Sequence, residues 1–311
     1  MDIAPKLTIG LPVYNGACYI AQSIEALLGQ SFDNFEFIIS DNASTDETSD
    51  ICQHYAKLDS RIKYFRQPRN IGLSANHNFT IDHASGELFK WASHDDLYAR
   101  DLLKLCVEAL DTHPDVVLAH SWTARIDGSN HLIEAEKYPL STASPKPSER
   151  FRSVLFDFGG DDDYGVIRTA VMRSVTPYAS HHHAARTLVA KIALRGPFYH
   201  VPLWLYFRRN HAEQAEFKYA SVRANCANMD PRRANPIRNP AIRLYAEYVW
   251  GYVDAINRSP LPFAERRACY RHLMLYLASR VLPERPRKPV LKAGRVPVDV
   301  DSLFMGLEKE E

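Results

Sequence analysis

The sequence predicts an α/β fold in which helices flank a mainly parallel central sheet. Apolar runs of strand length alternate with helical apolar stripes through the first 120 residues. This alternation is typical of strand–helix–strand units, whose parallel strands are covered by helices on both faces. Polar segments follow several of the strands, at the edge where open α/β sheets bind their ligands. Beyond residue 221 the sequence instead predicts mainly helices.

The elements follow in order from hydrophobic periodicity. The predicted strands of the first half are residues 7–13, 35–40, 62–65, 88–92 and 116–119, with helices between them. Ser44 and Glu47 have the spacing of a capping box for the helix after the second strand. Beyond residue 121 we expect a Pro/Ser-rich linker or loop at 139–150, strands at 165–168 and 198–208, and helices near 184–194, 242–256 and 271–282.

Composition excludes several classes of protein. The formal net charge of +1, from 38 basic and 37 acidic residues, gives no global field for a nucleic acid partner. Five scattered cysteines without a CxxC motif favour reduced thiols in a cytoplasmic protein. No run reaches the about 20 apolar residues that span a bilayer. Any membrane contact is therefore expected to be peripheral, and the basic, Pro-rich segment 283–297 is either a solvated tail or the part that makes this contact.

Two adjacent carboxylates follow the fourth predicted strand in the segment LFKWASHDD. Asp95 and Asp96 are too costly to bury unpaired, so a cationic or donating partner is expected. The most specific interpretation is that these carboxylates bind a divalent metal that carries a phosphorylated substrate. Asp96 could also be the N-cap of the next helix. Asp41 ends the second strand at the same edge. Neither G-x-G-x-x-G nor G-x-x-x-x-G-K-[ST] follows the first strand, which argues against dinucleotide and P-loop sites.

Taken together, the segments LPVYNG, DNASTD, RNIGLSANHN, GELFKWASHDD, GVIRTAVMRSV and LYFRRNH resemble, in order and spacing, the family 2 glycosyltransferases of GT-A fold. The resemblance covers roughly residues 5–211. It implies a nucleotide-diphosphate sugar donor whose diphosphate is held by Mg²⁺ or Mn²⁺ on an acidic D-x-D. The domains expected are 1–220, with a nucleotide-binding half at 1–120 and an acceptor half at 121–220, and a helical extension at 221–311.

The resemblance also implies roles for individual residues. Pro12, Tyr14 and Asn15 would cradle the base and ribose. The nucleotide pocket would be lined by Asn70 and Asn78. Asp41 would accept a hydrogen bond from the imide of uracil or thymine, which favours a UDP- or dTDP-sugar. The D-x-D aligns with Ser93, His94 and Asp95, so Ser93 replaces the first acid and Asp95 remains as the metal ligand. His211 would approach the metal or diphosphate, and Arg208 and Arg209 would neutralise the leaving group.

The general base that inverting transfer requires is missing from its expected place. The resemblance places a carboxylate at position 185, where this chain has Ala185, and a methyl group accepts no proton. Three interpretations are open. Ala185 is an inactivating change from Asp, or another acid serves instead, with Asp161, Asp162 and Asp163 the nearest candidates, or the protein binds donors without transferring sugar.

The sequence thus predicts a metal-dependent, inverting glycosyltransferase of the hexosyltransferase type. Its acceptor would be a saccharide, glycolipid or natural product, and its C-terminal helices could form a homodimer. The alternatives are a non-catalytic nucleotide-sugar-binding protein and, less favoured, a nucleotidyltransferase. A nucleotidyltransferase normally requires a Gly-rich, basic loop after the first strand.

Overall fold

The computed structural model describes residues 4–135, 141–157, 162–214, 218–219 and 221–281. A nine-stranded sheet in the order β3-β2-β1-β4-β8-β6-β9-β5, with β7 paired to β6, forms its centre. The strands are β1 Leu7–Val13, β2 Phe35–Asp41, β3 Ile62–Arg66, β4 Leu88–Trp91, β5 Leu97–Tyr98, β6 Leu118–Ile126, β7 Leu132–Ala135, β8 Val166–Arg168 and β9 Phe198–Arg209. The predicted α/β class is confirmed.

Helices separate most of these strands along the chain. The first seven are α1 Ile20–Leu28, α2 Thr48–Leu58, α3 Leu73–Asp82, α4 Leu102–Thr112, α5 Pro147–Phe156, α6 Thr169–Val175 and α7 Ala184–Ala193. The last three are α8 Val222–Met229, α9 Ala241–Arg258 and α10 Phe263–Val281. Among the described residues, no helix is long and apolar enough to cross a membrane.

The sheet is parallel in its first half and mixed in its second. Strands β3, β2, β1 and β4 pair in parallel, so that the loops after them share one edge. Strand β8 lies antiparallel between β4 and β6, and β5 lies antiparallel to β9. Because β8 runs opposite to β4, the residues just before β8 lie at the same edge as the loop after β4.

Apolar clusters cover both faces of the sheet. Successive side chains of a strand point to opposite faces, and Leu88 and Phe89 of β4 accordingly belong to different clusters. One cluster includes residues of α1 and α4, and the other includes residues of α3, α6 and α7. The alternation of strand and helix in the sequence therefore reflects a sheet buried on both sides.

The C-terminal helices pack on the sheet domain through a third apolar cluster. Ala190 and Leu194 of α7 and Phe151 of α5 meet Tyr252 of α9 and Leu273 of α10. The two predicted units on either side of residue 220 share this cluster. The domain boundary at residue 220 stays a prediction.

Two local predictions are wrong. The segment 139–150 was expected to be a linker or loop, but α5 begins at Pro147, a residue that suits the first position of a helix. Residues 136–140 lie outside the described part. The capping box also fails, because α2 begins at Thr48 and Ser44 Oγ instead accepts a hydrogen bond from the backbone N–H of Asn15.

Candidate active site

The loops after β1 and β2 are joined at the carboxyl edge of the sheet. Val13 and Asp41 are neighbours in register, so the two strands end side by side. Ser44 Oγ accepts the N–H of Asn15 at 2.9 Å, and Asn15 Oδ1 accepts the N–H of Thr45 at 2.8 Å. Asn15 has a φ of 52°, a left-handed conformation that asparagine tolerates better than most residues. Pro12 and Tyr14 flank this joint, and the Tyr14 ring is 40% exposed.

Asp41 is buried beneath these loops, and both of its oxygens are engaged. Oδ1 accepts the N–H of Ser44 at 2.8 Å. Oδ2 accepts the hydroxyl of Tyr64 at 2.8 Å and a guanidinium N–H of Arg66 at 3.0 Å. These partners let a fully buried carboxylate persist, and they order the loop around it. The contact of Asp41 with a nucleobase stays a prediction.

Two asparagines predicted for the nucleotide pocket have different surroundings. Asn70 is exposed at the edge, where its Oδ1 accepts from Asn42 Nδ2 at 3.0 Å and from the N–H of Gly72 at 2.9 Å. Asn78 instead pairs with the backbone N–H and C=O of Tyr178 at 2.7 and 3.2 Å. Its amide therefore joins α3 to a distant segment, and its place in the nucleotide pocket stays a prediction.

Asn42 was missed as a candidate, although its place directly after β2 signalled it. Its Oδ1 accepts the N–H of Ile71 at 2.8 Å while its Nδ2 donates to Asn70. Asn42 thus joins the loop after β2 to the loop before α3. The polar rim of the edge is continuous from Asn15 to Asn70.

Asp95 and His211 meet at the same edge. His211 Nε2 lies 2.8 Å from Asp95 Oδ2, and the hydroxyl of Ser93 donates to Asp95 Oδ1. Burial raises the pKa of the Asp95 carboxyl, but the charge of His94 and the hydrogen bonds of His211 and Ser93 lower it well below its ordinary value of 3.8. The imidazole of His94 lies over Gly16, where a Cβ atom would come within 2.5 Å of the ring. The structure therefore holds an ionised carboxylate beside an imidazole.

Asp96 faces the interior and has a structural role. Its Oδ1 accepts the backbone N–H of Arg209 at 2.9 Å, and its Oδ2 accepts the hydroxyl of Tyr206. Helix α4 begins at Leu102, so the alternative interpretation of Asp96 as its N-cap is wrong. Asp96 instead attaches the end of β9 to the loop that carries Asp95.

Arg209 is fully buried, which contradicts its predicted contact with the leaving group. Its Nε donates to the carbonyl oxygen of Asp95 at 2.7 Å, and its Nη2 donates to Gln22 Oε1 at 3.0 Å. Its guanidinium also lies 4.4 Å from the centre of the Tyr19 ring. Arg209 therefore supports the loop of Asp95 from below. Arg208 is half-buried on β9, and its predicted neutralisation of the leaving group stays a prediction.

The donor set at this edge suits a hard divalent cation only through its carboxylate. Within the described residues, no group of three or more His, Cys, Asp or Glu side chains could hold a metal ion. Asp95 and His211 offer one carboxylate and one imidazole. Mg²⁺ commonly takes one or two protein carboxylates and completes its shell with substrate phosphates and water, and carboxylate and water ligands also suit Mn²⁺. The carboxylate of Asp95 therefore fits such an ion when a diphosphate supplies further oxygens, whereas an imidazole is not a preferred ligand of Mg²⁺.

The candidate positions for the general base have different surroundings, and Asp161 lies outside the described residues. Ala185, in the first turn of α7, packs against the apolar cluster that contains Tyr178. Asp162 is buried with its Oδ1 3.0 Å from His200 Nε2. Asp163 is half-buried, and its negative charge adds to burial in raising the pKa of Tyr164 and Tyr178. Asp163 thus lies near the ring of Tyr178, while Asp162 is turned to His200.

Two cavities among the described residues lie outside this pair of side chains. One of about 310 Å³ is lined by α1 and β5 residues such as Gln22 and Leu97. The other, of about 250 Å³, lies between α6, α7 and α9. Neither of these cavities contains Asp95 or His211 in its lining.

Comparison with known proteins identifies the family. The model of glycosyl transferase family 2 matches residues 8–178, more than half of the chain. The chain therefore belongs to family 2 of the glycosyl transferases, as the motifs indicated. An uncharacterized glycosyltransferase of Haemophilus influenzae is 34% identical over 143 residues, which cover 46% of this chain and 54% of that protein. One of Rickettsia typhi is 39% identical over 156 residues, covering 50% and 45%. These matches span about half the length of each relative.

Solved structures show the same fold at low sequence identity. TarS 1–349 of S. aureus, in complex with UDP-GlcNAc, is 15% identical with a TM-score of 0.56 and covers 89% of this chain and 91% of its own. The mannosyltransferase PcManGT of Pyrobaculum calidifontis, in complex with GDP-Man and Mn²⁺, is 14% identical with a TM-score of 0.52 and covers 90% and 88%. The similarity extends over the C-terminal helices as well as the sheet.

Proposed function

We propose that this protein transfers a sugar from a nucleotide-diphosphate sugar to a hydroxyl group of an acceptor. The observation that carries the proposal is the pair of Asp95 and His211 at an edge whose other loops form a polar rim from Asn15 to Asn70. Family membership supports it. So do two solved structures of the same fold that are complexes with nucleotide sugars.

The nucleoside would lie on the joined loops after β1 and β2. Asn15 and Tyr14 would contact the base and ribose, with Asn70 at the far end of the rim. Asp41 would act mainly by ordering the loop, since its oxygens already accept from Ser44, Tyr64 and Arg66. A uracil or thymine base remains our proposal for the donor.

Asp95 and His211 would hold a Mg²⁺ or Mn²⁺ ion against the diphosphate. When bound, such an ion neutralises charge on the departing diphosphate. Ser93 and the buried guanidinium of Arg209 fix the loop of Asp95 from both sides. Arg208 would add positive charge near the leaving group.

We propose Asp163 as the general base, because Ala185 cannot accept a proton and Asp162 is paired with His200. Asp163 would take the proton of the acceptor hydroxyl as its oxygen attacks the anomeric carbon. The bond to the diphosphate breaks on the opposite side, so the configuration inverts. Family membership argues against the nucleotidyltransferase alternative.

Removing the metal ligand tests donor binding. Asp95→Ala should weaken the binding of UDP with Mn²⁺ by at least about tenfold, since a charge-assisted contact is lost. EDTA should have the same effect on the unchanged protein and little further effect on the variant. The matched control is Asp82→Ala, an exposed acid at the end of α3. Unchanged UDP affinity in Asp95→Ala, measured by calorimetry, would count against the scheme.

Two further variants test the base. Asp163→Asn should lower turnover about 10²- to 10⁴-fold, the usual contribution of a general base, while UDP binds as before. Ala185→Asp should then bring no comparable gain. A large gain from Ala185→Asp together with an unaffected Asp163→Asn would show that position 185 is the true place of the base.

The second candidate function is donor binding without transfer, and the methyl group of Ala185 favours it. Turnover separates the two functions. A protein that binds UDP-sugars through Asp95 but hydrolyses and transfers none of them would support the binding role.

A further inference from the structure

Helices α9 and α10 form an outer layer over α5 and α7. In the third apolar cluster, Tyr252 of α9 and Leu273 of α10 meet Ala190 of α7 and Phe151 of α5. Both outer helices therefore turn one side towards the same core. Their exposed sides face away from that core, and we call these two sides together the outer face.

The outer face carries large apolar side chains in contact with solvent. On α9, Ile242 is 80% exposed and Trp250 is 63% exposed. Soluble proteins rarely expose large apolar patches, and such patches commonly mark interaction surfaces. The large exposed apolar residues of the two helices are Ile242, Tyr245, Trp250, Phe263, Met274 and Leu275.

The part of the chain that contains these helices is strongly basic. Residues 221–281 include ten arginines and four acidic residues, whereas the whole chain has a formal net charge of +1. Two of the acids on α9 already have cationic partners: Glu247 pairs with Arg243 at 2.9 Å, and Asp254 pairs with Arg258 at 2.6 Å. The helical part is therefore the positive end of a nearly neutral chain.

Exposed arginines alternate with apolar side chains along α10. One side of this helix carries, at positions i, i+4, i+8 and i+11, the residues Phe263, Arg267, Arg271 and Met274. Both arginines are exposed, and among the described residues neither of them forms an ion pair. The stem of an arginine can lie along apolar groups while its guanidinium binds phosphate. This side of α10 therefore combines apolar surface with two available cations.

We propose that the outer face docks on an anionic lipid bilayer. Ile242, Trp250 and Met274 enter the boundary between headgroups and acyl chains, where tryptophan and aliphatic side chains of interfacial helices are favoured. Arg267 and Arg271 contact the lipid phosphates. The helices lie on the bilayer and do not cross it, because neither is apolar on all sides. The inference goes beyond the proposed sugar transfer and does not depend on it.

Charge and size favour a bilayer over two other occupants of the outer face. A second copy of the chain in a two-fold contact would bring two faces of the same positive charge together. The segment 283–297 has the same sign, with five basic residues and one acid. Residues 298–311 have the opposite sign, with five acids and one basic residue, but they are too few to cover two helices of 18 and 19 residues that lie side by side. Each of those helices is about 27 Å long or more, whereas a helix made of this last segment would reach about 21 Å.

Sedimentation with lipid vesicles tests the inference on the full chain. The protein should bind vesicles made of equal parts of phosphatidylglycerol and phosphatidylcholine, and should bind phosphatidylcholine alone at least about tenfold more weakly. Trp250→Ser should weaken binding to the anionic vesicles about tenfold. Arg267→Gln and Arg271→Gln should each weaken it about fivefold, the usual contribution of one cation near an anionic surface. Binding should also fall as NaCl rises.

Matched controls alter exposed side chains of α2 and at the start of α4. Leu58→Ser removes an exposed apolar side chain at the end of α2. The double variant Arg100→Gln with Lys104→Gln removes two exposed cations near the start of α4, a helix that packs on the face of the sheet opposite to α7. Both controls should bind the anionic vesicles like the unchanged protein. No binding by the unchanged protein, or equal binding by Trp250→Ser and the double variant Arg267→Gln with Arg271→Gln, would overturn the inference.

Two further measurements test the other occupants. Sedimentation velocity without lipid should show a monomer, and a dimer that Trp250→Ser dissociates would assign the outer face to a second copy and overturn the inference. Vesicle binding that appears only after Phe304→Ser would assign the outer face to residues 298–311 and overturn it as well. Neither measurement involves a nucleotide sugar, so a failure here leaves the proposed function as it stands.

Discussion

At the scale of single residues, two neighbouring acids have different roles because their side chains face opposite sides. Asp95 points to the edge and meets His211, while Asp96 points inward and accepts from Arg209 and Tyr206. Sequence alone gives both residues the same chemistry. Only the position of β9 beside this loop decides which carboxylate is available to a ligand.

Asp96→Asn should destabilise the protein although it preserves the size of the side chain. A neutral amide replaces a buried acceptor of two hydrogen bonds, which should lower the free energy of unfolding by about 2 kcal/mol. Urea unfolding followed by circular dichroism would measure the change. Asp82→Asn on the surface of α3 should stay within about 0.5 kcal/mol. A stability of Asp96→Asn equal to this control would refute the structural role.

Glu36 makes the stability of the sheet depend on pH. Burial raises its pKa, but hydrogen bonds from Lys63, Thr8 and Ser85 outweigh burial and lower the pKa below its ordinary value of 4.5. A carboxyl whose pKa is lowered by folding stabilises the fold above its unfolded pKa and loses that contribution as pH falls through its folded pKa. The contribution should therefore be complete at neutral pH and fade below about pH 4.5.

Glu36→Gln should cost about 2 kcal/mol at pH 7 and flatten the loss of stability between about pH 5 and 3. Melting temperatures across this range would show both effects. The control is Glu87→Gln, an exposed partner of Lys6, which should change the profile little. An unaltered acid slope in Glu36→Gln would contradict the assignment.

At the scale of elements, a side chain of one helix accepts a backbone N–H group at the start of another helix. Glu265 of α10 accepts the backbone N–H of Ser148, in the first turn of α5, at 2.8 Å. The N-terminal residue before α5 provides no side-chain cap of its own. A carboxylate at a helix start pairs with a free N–H and with the helix dipole. Glu265 therefore docks α10 onto α5.

Glu265→Ala should lower stability by about 1 kcal/mol, the usual cost of losing a cap. Amide hydrogen exchange at Ser148 should become faster, since its N–H loses its acceptor. Glu149→Ala removes an exposed carboxylate of the same turn, paired only with Ser144 and Lys146, and should have a smaller effect. Exchange at Ser148 that is slow in both variants would argue against the cap.

The elements also show how far sequence reasoning reaches. The strands and helices of the first half follow from periodicity, because each is amphipathic or fully buried and is bounded by turn residues. Helix α5 was missed because the proline that begins it reads as a loop signal in sequence. The burial of Asp41 and Arg209 could not be foreseen, because their partners come from distant segments: Tyr64 and Arg66 for one, Gln22 for the other.

At the scale of the whole molecule, the C-terminal helices complete the core of the sheet domain. Phe151, Leu155, Ala190 and Leu194 are covered by residues of α9 and α10. Removing those helices would expose this apolar surface to water, at a cost of roughly 25 cal/mol per Å².

A chain that ends at residue 240 should therefore aggregate or unfold without cooperativity. Size-exclusion chromatography and dye binding to exposed apolar surface would detect this. A chain that ends at residue 281 loses none of the residues of the third cluster and should unfold cooperatively. A monomeric, cooperative protein that ends at 240 would show that the helices are a separate domain.

The candidate site could be predicted in part, because the topology of the whole sheet determines where the loops meet. Parallel strands deliver their loops to one edge, so acids and amides after strands converge there whatever their separation in sequence. His211 meets Asp95 because β9 ends beside the loop after β4, and only the resemblance to a family pointed to that contact. The contact of Asn78 with the backbone of Tyr178 could not be foreseen, because its partner lies 100 residues away along the chain.

The position of β8 in the sheet limits how far this chain can fold during translation. Strand β8 lies between β4 and β6, although both of those strands precede it along the chain. Until Val166 emerges from the ribosome, β4 and β6 have no neighbour on their facing sides. An open strand edge invites pairing with other chains. The nascent protein should therefore be most prone to misassembly, and most dependent on chaperones, while the segment between β6 and β8 is being made.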